Sequence, residues 1–125
     1  MNVACGIIIK ESRILICQRN SEKSLPLKWE FPGGKQEINE TLEDCLLREI
    51  REELCIELDI VEKLPSHFHK YSFAEITLHP FVCYIKSGRI ILNDHLAYKW
   101  CNKNEILQYD LADADIPIIL NFLDK

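Results

Sequence analysis

GKQEINETLEDCLLREIREELCI, residues 34–56, is the stretch whose reading decides the fold. At about 100° per residue Leu42, Leu46, Ile50 and Leu54 form one apolar stripe. Residues 41–55 therefore predict an amphipathic helix, with Asn39 or Thr41 as N-cap. The glycine pair Gly33 and Gly34 allows a sharp turn and close backbone approach before it. Glu49 and Glu53 project onto the edge of the stripe, with Glu52 just beyond. A surface helix turns its charges away from the core, so carboxylates beside a buried stripe are desolvated and repel one another. A bound cation would relieve both costs. Oxygen ligands of this kind suit Mg²⁺, which takes one or a few carboxylates, keeps waters and completes its shell with substrate phosphates; Mn²⁺ can substitute. The competing reading is a plain amphipathic helix whose Arg48 and Arg51 form solvated pairs with glutamates three or four residues away.

Outward from this helix the chain alternates strands and turns. Residues 3–9 and 13–19 are rich in β-branched and aliphatic side chains and are separated by Lys10-Glu11-Ser12, a hairpin pattern. Residues 20–28 are polar, contain Pro26 and predict a surface loop able to cover a ligand. Trp29-Glu30-Phe31-Pro32-Gly33-Gly34 is a short strand broken by proline and glycine. Residues 56–64, 68–73, 76–86 and 89–92 are further strand candidates, with Ser87-Gly88 as a turn. Another short strand ends near Trp100, and residues 104–109 predict a helical turn or two. Asp115-Ile116-Pro117 opens a last helix, with Asp115 as N-cap and Ile116, Ile119, Leu120 and Leu123 packing on the sheet.

With 125 residues and 47% hydrophobic content the chain fits one domain spanning residues 1–125. Twenty acidic against 15 basic residues give a net charge of −5, and no run of Lys and Arg stands out. A nucleic-acid polymer is thereby disfavoured, and a nucleotide or other small phosphate ester is the expected anionic partner. The six cysteines form no Cys-x-x-Cys pair and read as reduced, buried thiols. No apolar run approaches the roughly 18 residues of a membrane span, and the first residues carry no basic flank. A cytoplasmic protein without membrane contact, monomeric or weakly dimeric, is the expectation.

Gly34, Glu40, Arg48, Glu49, Glu52 and Glu53, with aliphatic Ile50 and Ile56, resemble the Nudix box: Gly, five residues, Glu, seven residues, Arg-Glu, an aliphatic, any residue, Glu-Glu, any residue, Gly and an aliphatic. Every position is filled except the last glycine, which is Cys55. Glycine there would end the helix with positive φ, so a slightly different helix exit is expected, with the carboxylates retained. The resemblance implies a Nudix α/β/α sandwich with a mixed sheet between helices. It also implies that Glu49, Glu52 and Glu53, with Gly34, hold the metal. Glu49 is then the first choice to accept the proton of the attacking water, Arg48 orients neighbouring carboxylates, and Glu40 supports the loop.

Further matches extend over nearly the whole chain. Trp29 to Lys35, Ile14-Leu15-Ile16-Cys17-Gln18-Arg19, Asp94-His95 before Tyr98-Lys99-Trp100, and Leu111-Ala112-Asp113-Ala114-Asp115-Ile116-Pro117 are similar to the MutT-type nucleoside triphosphate pyrophosphohydrolases. By that resemblance Arg19 and Lys35 are phosphate contacts, Asp94 adds a carboxylate to the metal site, and Asp115 reads the base. An ionised Asp115 would accept from a cytosine amine or from guanine N1 and N2 donors, so CTP-type and 8-oxo-dGTP-type substrates both stay open. Phe73, His79 and Phe81 are base-pocket candidates. Two other readings stand beside this one: hydrolysis of another nucleoside diphosphate derivative, such as ADP-ribose or a dinucleoside polyphosphate, and a nucleotide-sensing domain without catalysis.

Overall fold

A computed structural model of the chain describes residues 1–124. The first two strands, β1 (Asn2–Lys10) and β2 (Arg13–Gln18), form the expected hairpin, with Ile9 opposite Ile14. Its two-residue turn, Glu11 and Ser12, has φ of 51° and 63°. Both angles match the primed turns whose twist suits a hairpin. Two short strands follow, β3 (Trp29–Glu30) and β4 (Gly33–Lys35), and then helix α1 (Leu42–Leu54). Strands β5 (Ile56–Lys63), β6 (His67–Lys70), β7 (Glu75–Gly88) and β8 (Ala97–Cys101) come next. Two 3₁₀ turns, at Ile106–Gln108 and Asp113–Asp115, lead to helix α2 (Ile116–Leu123).

The sheet runs β3-β2-β1-β7-β5, with β1 and β7 parallel and the other pairs antiparallel. Strand β1 shares its pairing: Val3, Ala4 and Cys5 face β4, while Ile9 and Lys10 face β2. The sheet parts between these two partners, and the β3 to β4 connection fills the opening. Because successive side chains alternate faces, a strand buried on both sides reads as an unbroken apolar run. On β1, Ala4 and Ile8 join the α1 side of the core with Leu46, Ile50, Leu54 and Phe81. Cys5 and Ile7 join the α2 side with Ile118 and Ile119. This is the expected α/β/α sandwich. Fully burying each of Leu46, Ile50 and Leu54 contributes about 1.5–3 kcal/mol, which fixes α1 on the sheet.

Several expectations need correcting. Residues 89–92 are not a strand, and Ser87-Gly88 ends β7 instead of turning between two strands. The backbone N–H groups of Ile91 and Asn93 donate instead to the carbonyls of Leu54 and Glu53, both at 3.0 Å. They satisfy two acceptors that the helix end leaves open. Thr41, not Asn39, caps α1 by accepting from the Asp44 N–H. Cys55 adopts φ 61° and ψ 31°, so the helix exit keeps the left-handed conformation glycine would supply. Cys55 is also exposed, whereas the other five thiols are buried. In α2, Asp115 makes no side-chain cap, because residues 113–115 are already helical and its backbone has turned in. The buried face there is Asp115, Ile118 and Ile119, and Leu120 is half exposed.

Candidate active site

Two cavities open where the sheet parts. The first, about 470 Å³, lies between α1, β4 and the segment after β7, and its lining includes Gly34, Glu49, Glu52, Glu53 and Asp94. The second, about 440 Å³, includes Phe31, Tyr71, Phe73, Ile76, Leu78 and Asp115. Arg19, Glu30, Gly33, Gly34 and Lys35 line both, so the cavities meet along β4.

The glycine pair makes this junction possible by its lack of side chains. A Cβ on Gly33 would collide with the Ala4 carbonyl and come within 2.7 Å of Cys5 Cα, both backbone. A Cβ on Gly34 would fall on the Glu49 carboxyl group. Gly34 is therefore where the strand backbone reaches the helix carboxylates.

In the acidic cavity Arg48 gathers the rim. Its Nε and Nη2 donate to the two Glu40 carboxylate oxygens at 2.7 and 3.0 Å. Its Nη1 donates to Glu49 Oε1 at 2.8 Å and Glu52 Oε2 at 3.4 Å. Nη2 also donates to the Lys35 carbonyl at 3.2 Å, tying α1 to β4. The Arg48 bonds, with the Glu37 N–H, hold the Glu40 carboxyl down to about 2. Arg48 makes one pair of the competing kind, with exposed Glu52 four residues on, but its shorter bonds fasten the loop before the helix, and Arg51 pairs with Glu57 beyond the helix.

Glu53 lies deepest among these carboxylates, 9% exposed, and its Oε1 has no partner in the protein. Burial, then the nearby Glu49, Glu30 and Asp94, push its carboxyl up from 4.5 to about 9. A buried carboxylate facing three others is unstable as an anion unless a cation joins it. The donor set, oxygen-rich, clustered and carrying an orphaned buried oxygen, fits a divalent metal ion. The opposing positive charge at present is Lys23, whose Nζ lies 2.9 Å from Asp94 Oδ2.

The apolar cavity carries a different chemistry. Tyr71 and Phe73 stack with centroids 5.1 Å apart and planes 11° from parallel, offering an aromatic surface. Tyr71 Oη accepts from the Ala114 N–H at 2.8 Å. Asp115, 5% exposed, accepts through Oδ1 from the Phe31 N–H at 3.1 Å. Burial and the Glu30 charge raise the Asp115 carboxyl well above the carboxylate range, against the Phe31 N–H and Arg19. His79 and Phe81 do not line this cavity. Phe81 is buried in the α1-side core, and His79 joins Ser66 and Asn2.

Arg19 lines both cavities, as a phosphate contact would, yet its guanidinium is engaged. Nη1 meets Glu30 Oε1 at 3.0 Å, while Nε and Nη2 donate to the Ser24 carbonyl and hydroxyl. Glu30 also bonds His95 Nε2 at 3.1 Å, so one carboxylate links both cavities. Glu30, His95, Lys23 and Tyr71 went unassigned by the reading of the sequence. An acidic residue between Trp29 and Phe31 was a signal for Glu30, because a charge alternating with aromatics on a strand implies a partner.

The NUDIX domain family profile matches residues 1–122. The CTP pyrophosphohydrolase of Escherichia coli (strain K12) is 38% identical over 123 residues, covering 98% of this chain and 91% of that protein. An 8-oxo-dGTP diphosphatase of Buchnera aphidicola subsp. Schizaphis graminum is 33% identical over 118 residues, covering 94% and 89% respectively. The solution structure of the E. coli ORF135 protein superposes with a TM-score of 0.85 at 38% identity, covering 98% of this chain and 88% of that one. The family profile spans almost the whole chain and the relatives share its fold, and the chain belongs to the Nudix domain family.

Proposed function

We propose that this chain hydrolyses a nucleoside triphosphate of the CTP or oxidised-guanine type to a nucleoside monophosphate and pyrophosphate, using Mg²⁺. The observation that carries this reading is Glu53, a buried carboxyl with an unpartnered oxygen among Glu49, Glu30 and Asp94. Glu49, Glu52, Glu53 and Asp94, with Gly34, would hold the ion beside the phosphates. Bound there, Mg²⁺ would neutralise phosphate charge and favour ionisation of a water.

The protein's own groups divide the remaining work. Arg48 fixes Glu49 and Glu52 from one side and is itself fixed by Glu40, so the carboxylates meet the substrate already oriented. Glu49 accepts the proton of the attacking water. The water oxygen bonds to phosphorus, the bridging P–O bond between the α and β phosphoryl groups breaks, and pyrophosphate departs with that electron pair. Lys35 and Arg19 line the passage between the cavities and supply positive charge to the phosphate chain. The nucleoside enters the apolar cavity, where Tyr71 and Phe73 present a stacking surface and Asp115 faces the base edge.

Hydrolysis with Mg²⁺, read as pyrophosphate release from CTP, dCTP and 8-oxo-dGTP and as AMP formation from ADP-ribose, tests this. Release from a triphosphate with loss in Glu53→Gln is expected. Tight binding of one nucleotide without hydrolysis of any would replace the enzyme reading with a sensor.

A further inference from the structure

We infer that His95 supplies a nitrogen ligand to the acidic cavity, forming with Glu53 and Asp94 a subsite that favours a transition ion such as Mn²⁺ or Co²⁺ over Mg²⁺. The inference rests on the acidic cavity being a metal site and adds an ion preference to it. One ligand atom from each of Glu53, Asp94 and His95 lies within 4.8 Å of the other two. Neither Glu53 Oε1 nor His95 Nδ1 has a hydrogen-bond partner, and both residues are more than nine-tenths buried, at 9% and 7% exposure. Leaving a buried polar atom unpaired costs about 1–3 kcal/mol. Two residues of the cluster thus each carry one such atom, a carboxylate oxygen and an imidazole nitrogen, and a cation between the residues would satisfy both.

The far side of the imidazole agrees. Nε2 lies 3.1 Å from Glu30 Oε2, where the tautomer with its hydrogen on Nε2 donates to the carboxylate. A neutral ring then has its lone pair on Nδ1. That pairing, a carboxylate receiving one ring N–H while the other nitrogen faces a metal, is how proteins orient histidine ligands. Asp94 and His95 are set over α1 by the Asn93 N–H, which donates to the Glu53 carbonyl, and by the Asn93 side chain, which donates to the Glu52 carbonyl at 2.8 Å. The position of His95 is thus fixed to the helix that carries Glu53. Lys23, whose side chain is 44% exposed on a surface loop, can leave Asp94 for solvent when an ion arrives. An imidazole nitrogen among oxygens raises affinity for later first-row ions, whereas Mg²⁺ gains little from it.

The test loads the metal-free full chain with Mn²⁺ alone and reads nitrogen coupling by pulsed electron paramagnetic resonance. Coupling from a directly bound nitrogen is expected, and labelling histidine with ¹⁵N should change it, separating imidazole from the terminal amine. The chain has four histidines. The coupling should vanish in His95→Gln and persist when His67, His69 and His79 are all changed to Gln, so either variant decides if the other fails to fold. In His95→Gln, Mn²⁺ binding by calorimetry should weaken at least about tenfold while Mg²⁺ binding changes less than about threefold. Mn²⁺ bound without nitrogen coupling, or coupling that survives in His95→Gln, overturns the role of His95 while leaving the metal site intact. Failure of the chain to bind Mn²⁺ at all overturns the metal-site reading as well.

Discussion

Each of the two cavities buries one carboxyl, Glu53 in the acidic one and Asp115 in the apolar one, and burial raises both. The difference lies in how each is met. Asp115 has a backbone donor in Phe31 and one nearby acid, Glu30. Glu53 has an unpartnered oxygen and three acids around it. Asp115, met by the Phe31 donor, can rest in an aromatic cavity as part of its wall. Glu53 is satisfied only with a cation, so one cavity is built to hold charge and the other to hold a flat, apolar body with a polar edge. Their shared border, Gly33 to Lys35, is where a molecule with both parts would lie.

The sharpest way to break this contrast is Glu53→Gln. Activity should fall roughly a hundred- to ten-thousandfold in a pyrophosphate assay, because an amide neither carries the charge nor bridges a metal as a carboxylate does. The metal-free protein should respond in the opposite sense. Between pH 4.5 and about 9 folded Glu53 keeps a proton that the unfolded chain has lost. Stability contributed by this group therefore falls as pH rises through that window, at up to about 1.4 kcal/mol per pH unit. Urea unfolding at pH 5, 7 and 9 in a chelator should show this loss, and both Glu53→Gln and added Mg²⁺ should flatten it. An unchanged slope in the variant would assign the pH dependence elsewhere.

Gly34→Ala attacks the border itself. The new Cβ falls on the Glu49 carboxyl, a side chain able to yield, so the chain should fold with a loss of about 1–3 kcal/mol and a tenfold or greater drop in turnover. Gly33→Ala meets the backbone of Ala4 and Cys5 and should cost more stability. Thermal unfolding of the two variants side by side checks that order.

Asp115→Asn sharpens the apolar half. The amide oxygen can still accept from Phe31 N–H, so stability should change by less than about 1 kcal/mol. The ratio of kcat/KM for CTP against 8-oxo-dGTP should shift about tenfold or more, because the amide adds fixed donors at the base edge. An unchanged ratio would remove Asp115 from base reading.

The helix side of the acidic cavity is legible in the sequence because its parts are local, whereas Glu30 and Asp94 reach it from distant segments. Gly34 and the glutamates from 40 to 53 sit on one short strand and the loop and helix after it, and helical spacing alone places Glu49 and Glu53 beside the buried stripe. The apolar cavity gathers Met1, Tyr71, Phe73, Ala112 and Asp115 from distant segments, and no periodicity links them. Hence Asp115 could be read as a cap or as a base contact, and only the turn at 113–115 excludes the cap. Phe81 and Phe73 looked alike as strand aromatics, yet lie on opposite sides of the sheet's division of labour, one in the core and one half exposed. Residues 89–92 misled because their apolar side chains suggested a strand while their N–H groups were already committed to the end of α1.

Lys23→Ala gives the smallest expected effect and probes the cavity from its loop. Lys23 pairs with Asp94 at 2.9 Å, with side-chain exposures of 44% and 36%. An exposed pair of this kind contributes about 0.2–1 kcal/mol, which equals a factor of at most about five in an equilibrium constant. An arriving metal ion must displace the ammonium, so removing it should tighten divalent-ion binding two- to fivefold by calorimetry. The same change removes a positive charge that favours ionised Glu53 in the metal-free state, so the pH-dependent loss of stability should extend to higher pH. Tighter metal binding together with a loss of stability that continues to higher pH requires that Lys23 act as a tethered counter-ion. Weaker metal binding would place it among the groups that help the metal or its phosphates instead.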